Sequence, residues 1–191
     1  MERPELYFPR DVEWREWLHV NHQSYLQGVF LIFFKLENNT PTMRWEEAVK
    51  VALCYGWIDS TVKSLGNGKR QQYFCPRNPK STWSALNKSH IKELENDGLI
   101  HESGQKLISH AKKIGTWSAL DDVENLIIPP ELKVAFLKNP EAYKNFQSFA
   151  PGYKKSYLSW LFQAKRLETR EKRIIEIIKL CKANLKTRGN W

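Results

Sequence analysis

The sequence predicts an α+β fold, in which a small sheet with a β-hairpin and flanking helices precedes a helical C-terminal lobe. An unbroken run of β-branched and aromatic residues, Val29–Phe34, has the length and composition of a buried strand. Two alternating segments on either side of Gly66-Asn67-Gly68 indicate a hairpin. After Gly98 the apolar residues recur at helical spacing almost to the end of the chain.

The elements before the hairpin are a helix, a strand and a second helix. Trp14, Trp17 and Leu18 share one face of a helix predicted over residues 11–22. The run Val29–Phe34 is too short for a buried helix, so we expect a central strand that is covered on both faces. Acidic residues then suit the first turn of a helix that Gly56 ends.

The hairpin and the helices after it have clear boundary signals. Glycine and asparagine at positions 66–68 supply the positive φ angles that a tight turn demands. Ser84 is suited to cap a helix that Gly98 closes, and a further helix is expected over residues 103–114.

Two adjacent acids and two adjacent prolines mark residues 121–130 as a connector. We therefore expect two domains, an α+β domain over residues 1–120 and a helical lobe over residues 121–191. Four helical segments are predicted in the lobe, at 131–137, 141–149, 153–167 and 169–185.

The charge of the chain is +9 and is unevenly distributed. Residues 1–120 hold 16 basic and 13 acidic side chains, a net charge of +3, whereas residues 121–191 hold 14 and 8, a net charge of +6. This excess favours anionic partners, either small molecules or nucleic acid.

Several classes of protein are disfavoured by composition. No apolar stretch approaches the ~20 residues that cross a bilayer, and the N-terminus lacks the pattern of a signal peptide. The three cysteines are widely spaced, as expected of a cytoplasmic protein in a reducing compartment. His19 and His22 have no evident third ligand, so no metal site is expected, and no cofactor is predicted.

Residues near the hairpin form a candidate pocket for a small anionic or zwitterionic ligand. Asp59 with Lys63 or Arg77 would bind its charges, Trp57 and Trp83 would offer stacking faces, and hydroxyl and amide groups would orient it. The members are Trp57, Asp59, Lys63, Arg77, Ser81, Trp83 and Asn87. The alternative is structural, with tryptophans in the core and polar groups in turns and caps.

A second candidate site binds anions in the basic C-terminal lobe. Thr169 is predicted to cap the last helix, so that first-turn amides and arginine side chains form a cradle for phosphate or carboxylate. The members are Lys165, Arg166, Thr169, Arg170 and Arg173. This site would let the lobe bind nucleic acid, whereas the structural alternative is that these cations complement a helix dipole.

A catalytic constellation is not evident in the sequence. None of the serines lies in a Gly-x-Ser-x-Gly turn or beside a histidine, and the acidic pairs have the spacing of solvated helix surfaces. Enzymatic activity is therefore left open and is not favoured.

Several strings resemble the YdeI/OmpD-associated family, also called bacteriocin-protection proteins. They are Glu46-Glu47-Ala48-Val49, the segment 52–60, Phe74-Cys75-Pro76-Arg77, the segment 80–84 with Asn87, Ala164-Lys165-Arg166, Glu168-Thr169-Arg170 and Arg173-Ile174. Together they extend from about residue 7 to residue 185. The resemblance implies a role in stress response or bacteriocin tolerance, with no established reaction or cofactor.

Overall fold

A computed structural model describes residues 3–189 of the 191-residue chain. The described residues form two compact units, divided between Ser118 and Ala119. We call these the N-terminal unit and the C-terminal unit. The α+β class predicted from the sequence is confirmed. That the units are two functional domains stays a prediction.

A four-stranded sheet lies in the N-terminal unit. Its strands are β1 (Glu5–Leu6), β2 (Val29–Phe34), β3 (Trp57–Gly66) and β4 (Lys69–Pro76). Their order is β1-β2-β4-β3, with β1 parallel to β2 and the other pairs antiparallel. The hairpin β3–β4 therefore contributes one inner and one edge strand.

Strand β2 is internal, as predicted, but its two faces differ. Val29, Leu31 and Phe33 belong to the hydrophobic core of the unit. On the other face Ile32 is buried, whereas Phe30 and Phe34 are only half-buried. The expectation that both faces are covered is therefore met only in part, because the core of this unit includes Val29, Leu31 and Phe33 but none of the three residues on the other face.

The hairpin turns at Asn67 and Gly68, with φ angles of 48° and 67°. Both values are positive, as required at the two central residues of a type I′ turn. The turn is also joined to the end of β2, since the Lys35 amide donates to the Gly68 carbonyl over 2.8 Å.

Four helices of the N-terminal unit form its hydrophobic core together with the sheet face that contains Val29, Leu31 and Phe33. They are α1 (Asp11–Asn21), α2 (Trp45–Cys54), α3 (Ala85–Asn96) and α4 (Glu102–Lys113). Trp14 and Leu18 of α1 are fully buried, and Trp17 packs against them, as the helical spacing predicted. The Ser84 hydroxyl accepts from the Asn87 amide over 3.2 Å, which confirms the predicted cap of α3.

The C-terminal unit is helical. Its helices are α5 (Asp121–Glu124), α6 (Pro130–Leu137), α7 (Pro140–Ser148), α8 (Pro151–Gln163) and α9 (Leu167–Lys182). Three of them begin with proline, which suits the first helical position because the missing amide hydrogen has no partner there. The predicted connector at 121–130 contains a helical turn, and α8 ends four residues before the predicted end.

No helix among residues 3–189 has the length and apolar character needed to cross a membrane.

Candidate functional site

The two tryptophans of the predicted pocket are part of the protein core. Trp57 is 1% exposed, and its indole nitrogen donates to the His22 carbonyl over 3.2 Å. Trp83 is 2% exposed, with its ring 5.0 Å from that of Trp117. Neither ring offers a free face to a ligand, which corrects the stacking role predicted for Trp57 and Trp83.

Arg77 is a buried cation stacked on an indole. Its guanidinium carbon lies 4.0 Å from the ring centre of Trp83, and Nη2 donates to the Thr82 carbonyl. Its buried Nε has no hydrogen-bond partner among the described residues. Burial lowers the pKa of Arg77 to about 10, and the charge of Asp59 partly opposes that effect. The side chain is thus held within the fold rather than presented to solvent.

Asp59 makes its hydrogen bonds with neutral donors. Its Oδ2 atom accepts from the indole nitrogen of Trp45 over 2.9 Å and from Nε2 of Gln72 over 2.7 Å. Gln72 is buried and projects from β4, whereas Trp45 begins α2. Asp59 therefore connects the sheet to the start of α2.

The remaining predicted residues are separated. Ser81 donates from its hydroxyl to the Asn78 carbonyl over 2.7 Å, and the backbone N–H of Asn87 donates to the Ser84 hydroxyl that caps α3. Lys63 lines a shallow depression with Arg3 and Gln71, on the face of the hairpin opposite to Val62. The seven residues therefore do not line one pocket, and ligand contact by any of them stays a prediction.

A larger cleft, which the sequence reading missed, lies beside the hairpin turn. Its volume is about 960 Å³, and it is lined by residues 33–37, by residues 42–46 and by the hairpin tip between 62 and 70. Strand pairing explains the location, because Phe33 and Phe34 of β2 lie opposite Arg70 and Lys69 of β4. We call this the basic cleft.

The basic cleft has an excess of positive charge. Four cations line it against two carboxylates, and each carboxylate is already paired. Glu37 pairs with Lys35 over 3.2 Å, and Glu46 pairs with Lys50 outside the cleft, also over 3.2 Å. Arg70 lies over the Phe33 ring at 5.3 Å. Arg44 and Lys69 have no ion pair with any residue in the described range 3–189.

Apolar groups complete the cleft. Trp45 is 36% exposed and Val62 is 57% exposed, whereas Met43 is buried. The available signal in the sequence was the pair Lys69-Arg70 directly after a type I′ turn, opposite an aromatic strand end. This pair was not recognised as a site because residues 66–70 were interpreted only as the hairpin turn and the start of its second strand.

The predicted cap of the last helix at Thr169 was wrong. Helix α9 begins at Leu167, so Thr169 lies inside its first turn, and Arg166 occupies the capping position with extended backbone angles. The reason is the early end of α8 at Gln163, which leaves a three-residue turn at 164–166.

The arginines near this turn cap the preceding helix. Arg170 donates from Nη1 to the Leu161 carbonyl over 3.2 Å and pairs with Glu131. Arg173 donates to the Trp160 carbonyl and lies 5.0 Å from the centre of that indole. Both cations thus donate hydrogen bonds to C-terminal carbonyls of α8, and anion binding by the predicted residues stays a prediction. Lys165 lies over the Phe162 ring at 4.4 Å, and Arg166 is exposed.

Histidines gather where α1 ends and α4 begins. The His101 ring stacks on Tyr55 at 4.9 Å, with His22 at 5.0 Å and His19 at 5.8 Å. His101 caps α4, because its Nδ1 accepts from the Ser103 amide over 3.2 Å. Only neutral imidazole can accept this bond. Burial lowers the pKa of His101, the two other histidines lower it further, and Glu102 opposes them.

We expect the N-terminal unit to lose stability as the pH falls through about 6.5, the pKa of histidine in unfolded chains. The lowered pKa of His101 means that the unfolded chain binds the proton more strongly than the folded protein, so stability is present above this pH and declines below it. Loss of the cap itself costs about 1 kcal/mol. Urea denaturation at pH 7.5 and 5.5 measures the effect.

His101→Asn keeps a capping side chain that does not titrate and should reduce the pH dependence. His110→Asn, at an exposed position of α4, should not, and equal pH dependence in both variants would contradict the assignment.

Two family models match different parts of the chain. Residues 6–107 match the model of a domain of unknown function, DUF8412. Residues 125–184 match the model described as bacteriocin-protection, YdeI or OmpD-associated. No curated protein and no solved structure matches the chain. The predicted resemblance is confirmed for residues 125–184, whereas the strings around Trp57 and Arg77 lie in the range of the first model.

Proposed function

We propose that this chain, which belongs to the DUF8412 family through residues 6–107 and matches the YdeI/OmpD-associated model over residues 125–184, binds a small anionic ligand in its basic cleft. The observation that supports this is the pair of unpaired cations, Arg44 and Lys69, at the rim of a cleft with an apolar lining. Protein cavities that bind small molecules are mostly apolar, with a few polar groups that fix the ligand's orientation. A volume of about 960 Å³ lies within the size range of such sites.

The basic cleft takes the place of the pocket predicted around Trp57 and Arg77. Asp59 supports the cleft because it accepts a hydrogen bond from Trp45, which lines it. We propose binding without turnover. The two hydroxyls of the cleft are engaged with backbone amides, since Thr42 accepts from the Phe34 amide over 3.2 Å and Ser64 from the Gly66 amide over 3.4 Å. In the described part of the chain neither hydroxyl is hydrogen-bonded to a histidine or a carboxylate that could act as a base.

The setting that we propose is a stress response in the cytoplasm, with bacteriocin protection as the biological role. The description of the family matched by residues 125–184 supports the role. The free thiols Cys54, Cys75 and Cys181 support a reducing compartment.

We expect inorganic pyrophosphate to bind at the basic cleft, and the charge-reversal variant Arg44→Glu/Lys69→Glu to weaken binding at least tenfold. The reason is that hydrogen bonds to charged groups contribute about 1.5–3 kcal/mol each. Isothermal titration calorimetry at two salt concentrations measures the affinity. Lys92→Glu, which changes an exposed charge on α3, is the matched control and should leave the affinity unchanged. Absence of binding to the unaltered protein, or equal affinity in the double variant and the control, would overturn the proposal.

Nucleic-acid binding by the C-terminal unit is the alternative, and its support is weaker. Arg170 and Arg173 already bind the carbonyls at the end of α8, which leaves Lys165 and Arg166 as the exposed cations at that turn. Tight, salt-sensitive binding of a labelled oligonucleotide that Lys165→Glu/Arg166→Glu abolishes would favour this alternative.

A further inference from the structure

Trp45 is an unusual residue for the position that it occupies. It is the first residue of α2, it lines the basic cleft, and more than a third of its surface is exposed. Trp14, Trp57 and Trp83, in contrast, are fully buried in the same unit. Tryptophan is highly buried on average, so an indole at a cleft surface is suited to contact another molecule.

The indole nitrogen of Trp45 is already hydrogen-bonded within the protein. Its Nε1 donates to Oδ2 of Asp59 over 2.9 Å, a bond to a carboxylate and therefore stronger than one between neutral groups. The same oxygen accepts from Gln72, which is 6% exposed and fixed in β4. The indole is thereby tethered to the sheet, and what it can offer to a ligand is its ring.

The ring lies in the same cleft as the unpaired cations. Arg44 directly precedes Trp45 at the start of α2, and Lys69 enters from the hairpin turn. Half-buried Phe34 and exposed Val62 add apolar surface. A ligand that satisfies all these groups has a planar apolar part and an anionic part.

Resting on the proposed function, we propose that the ligand of the basic cleft carries a planar ring that stacks on Trp45 beside its phosphate or carboxylate. Asp59 acts through Trp45 as a positioning residue, because it holds the indole by its nitrogen and leaves the ring free. The ligand class is that of mononucleotides and similar ring-bearing anions.

The experiment compares adenosine monophosphate with ribose 5-phosphate, which has the same phosphate and sugar but no base. We expect the nucleotide to bind at least fivefold more tightly, since stacking of a base on an aromatic side chain contributes about 5- to 150-fold in affinity. Trp45→Leu should abolish the difference, because leucine keeps an apolar side chain but has no ring. Trp45→Phe keeps a ring and should retain most of the difference.

Asp59→Asn tests the positioning role separately. Both bonds end at Oδ2, and the amide oxygen of asparagine can accept both of them, but it carries no full negative charge, so each bond is weaker. We expect faster solvent exchange of the Trp45 indole proton in nuclear magnetic resonance spectra and a smaller preference for the nucleotide. Unchanged indole exchange and unchanged preference would overturn this role.

The outcomes separate the two proposals. Equal affinity for both phosphates, unaltered by Trp45→Leu but lost in Arg44→Glu/Lys69→Glu, would overturn the stacking inference and leave the anion site intact. Failure of both phosphates and of pyrophosphate to bind would overturn the proposed function itself.

Discussion

Replacing Trp57 by alanine is expected to destabilise the N-terminal unit by about 3–5 kcal/mol, the usual cost of truncating a buried tryptophan. The indole is almost fully buried, lies edge-on to Trp14 at 6.3 Å and to Trp17 at 6.2 Å, and donates a hydrogen bond to the His22 carbonyl. Truncation therefore opens a cavity and leaves a buried carbonyl without its donor.

Native-state amide exchange in β2 and β4 measures this change, because it reports opening of the N-terminal unit within the intact chain. Trp45→Ala is the matched control, since it removes the same side chain from a partly exposed position and should cost far less. If the two variants were equally stable, Trp57 would not be a core residue. A ligand role for Trp57 would then regain support.

Gly28→Ala is expected to have the second large effect. The φ angle of Gly28 is +73°, and an added Cβ would lie 2.4 Å from the carbonyl oxygen of Phe74 and 2.7 Å from Cys75 Cβ. Phe74 is fully buried in β4, which pairs on both sides, so its backbone cannot move without disturbing the sheet. Strain at positive φ costs about 1–2 kcal/mol, and the overlap adds about 1–3 kcal/mol.

Gly98→Ala isolates the strain alone. Its φ angle is +67°, but an added Cβ would meet no atom within 4 Å. The difference between the two variants in amide exchange of β2 and β4 therefore measures the overlap. Equal destabilisation by the two substitutions would show that β4 yields to the new methyl group.

Local patterns were sufficient for most of the fold. The apolar run of β2, the Asn67-Gly68 turn and the Ser84 cap each depend on neighbours in sequence, so each could be identified from the residues alone. The covering of β2 could not, because it depends on which helices pack against which face. The predicted end of α8 was also misplaced, since its last carbonyls are bonded by Arg170 and Arg173 of the next helix.

The candidate site was harder to predict than the fold. Trp57 and Trp45 both have polar neighbours in sequence. Only the packing shows that Trp57 is buried in the core and that Trp45 is exposed in the cleft. Asp59 was predicted to bind a ligand together with Lys63 or Arg77, whereas its hydrogen-bond partners in the structure are Trp45 and Gln72. The basic cleft joins residues 33–37 and 42–46 to the hairpin tip between 62 and 70, and strand register is what brings Lys69 beside Phe34.

The turn between α8 and α9 bears on what the family match over residues 125–184 implies. Arg170 and Arg173 reach back across three turn residues to close the end of α8. They lie within residues 125–184, the range that links the chain to the YdeI/OmpD-associated family. Within this chain, the two arginines hold one helix against the next. The family match in this range therefore includes scaffold, and a shared scaffold does not by itself imply a shared ligand, because function resides in sites and not in the scaffold that carries them.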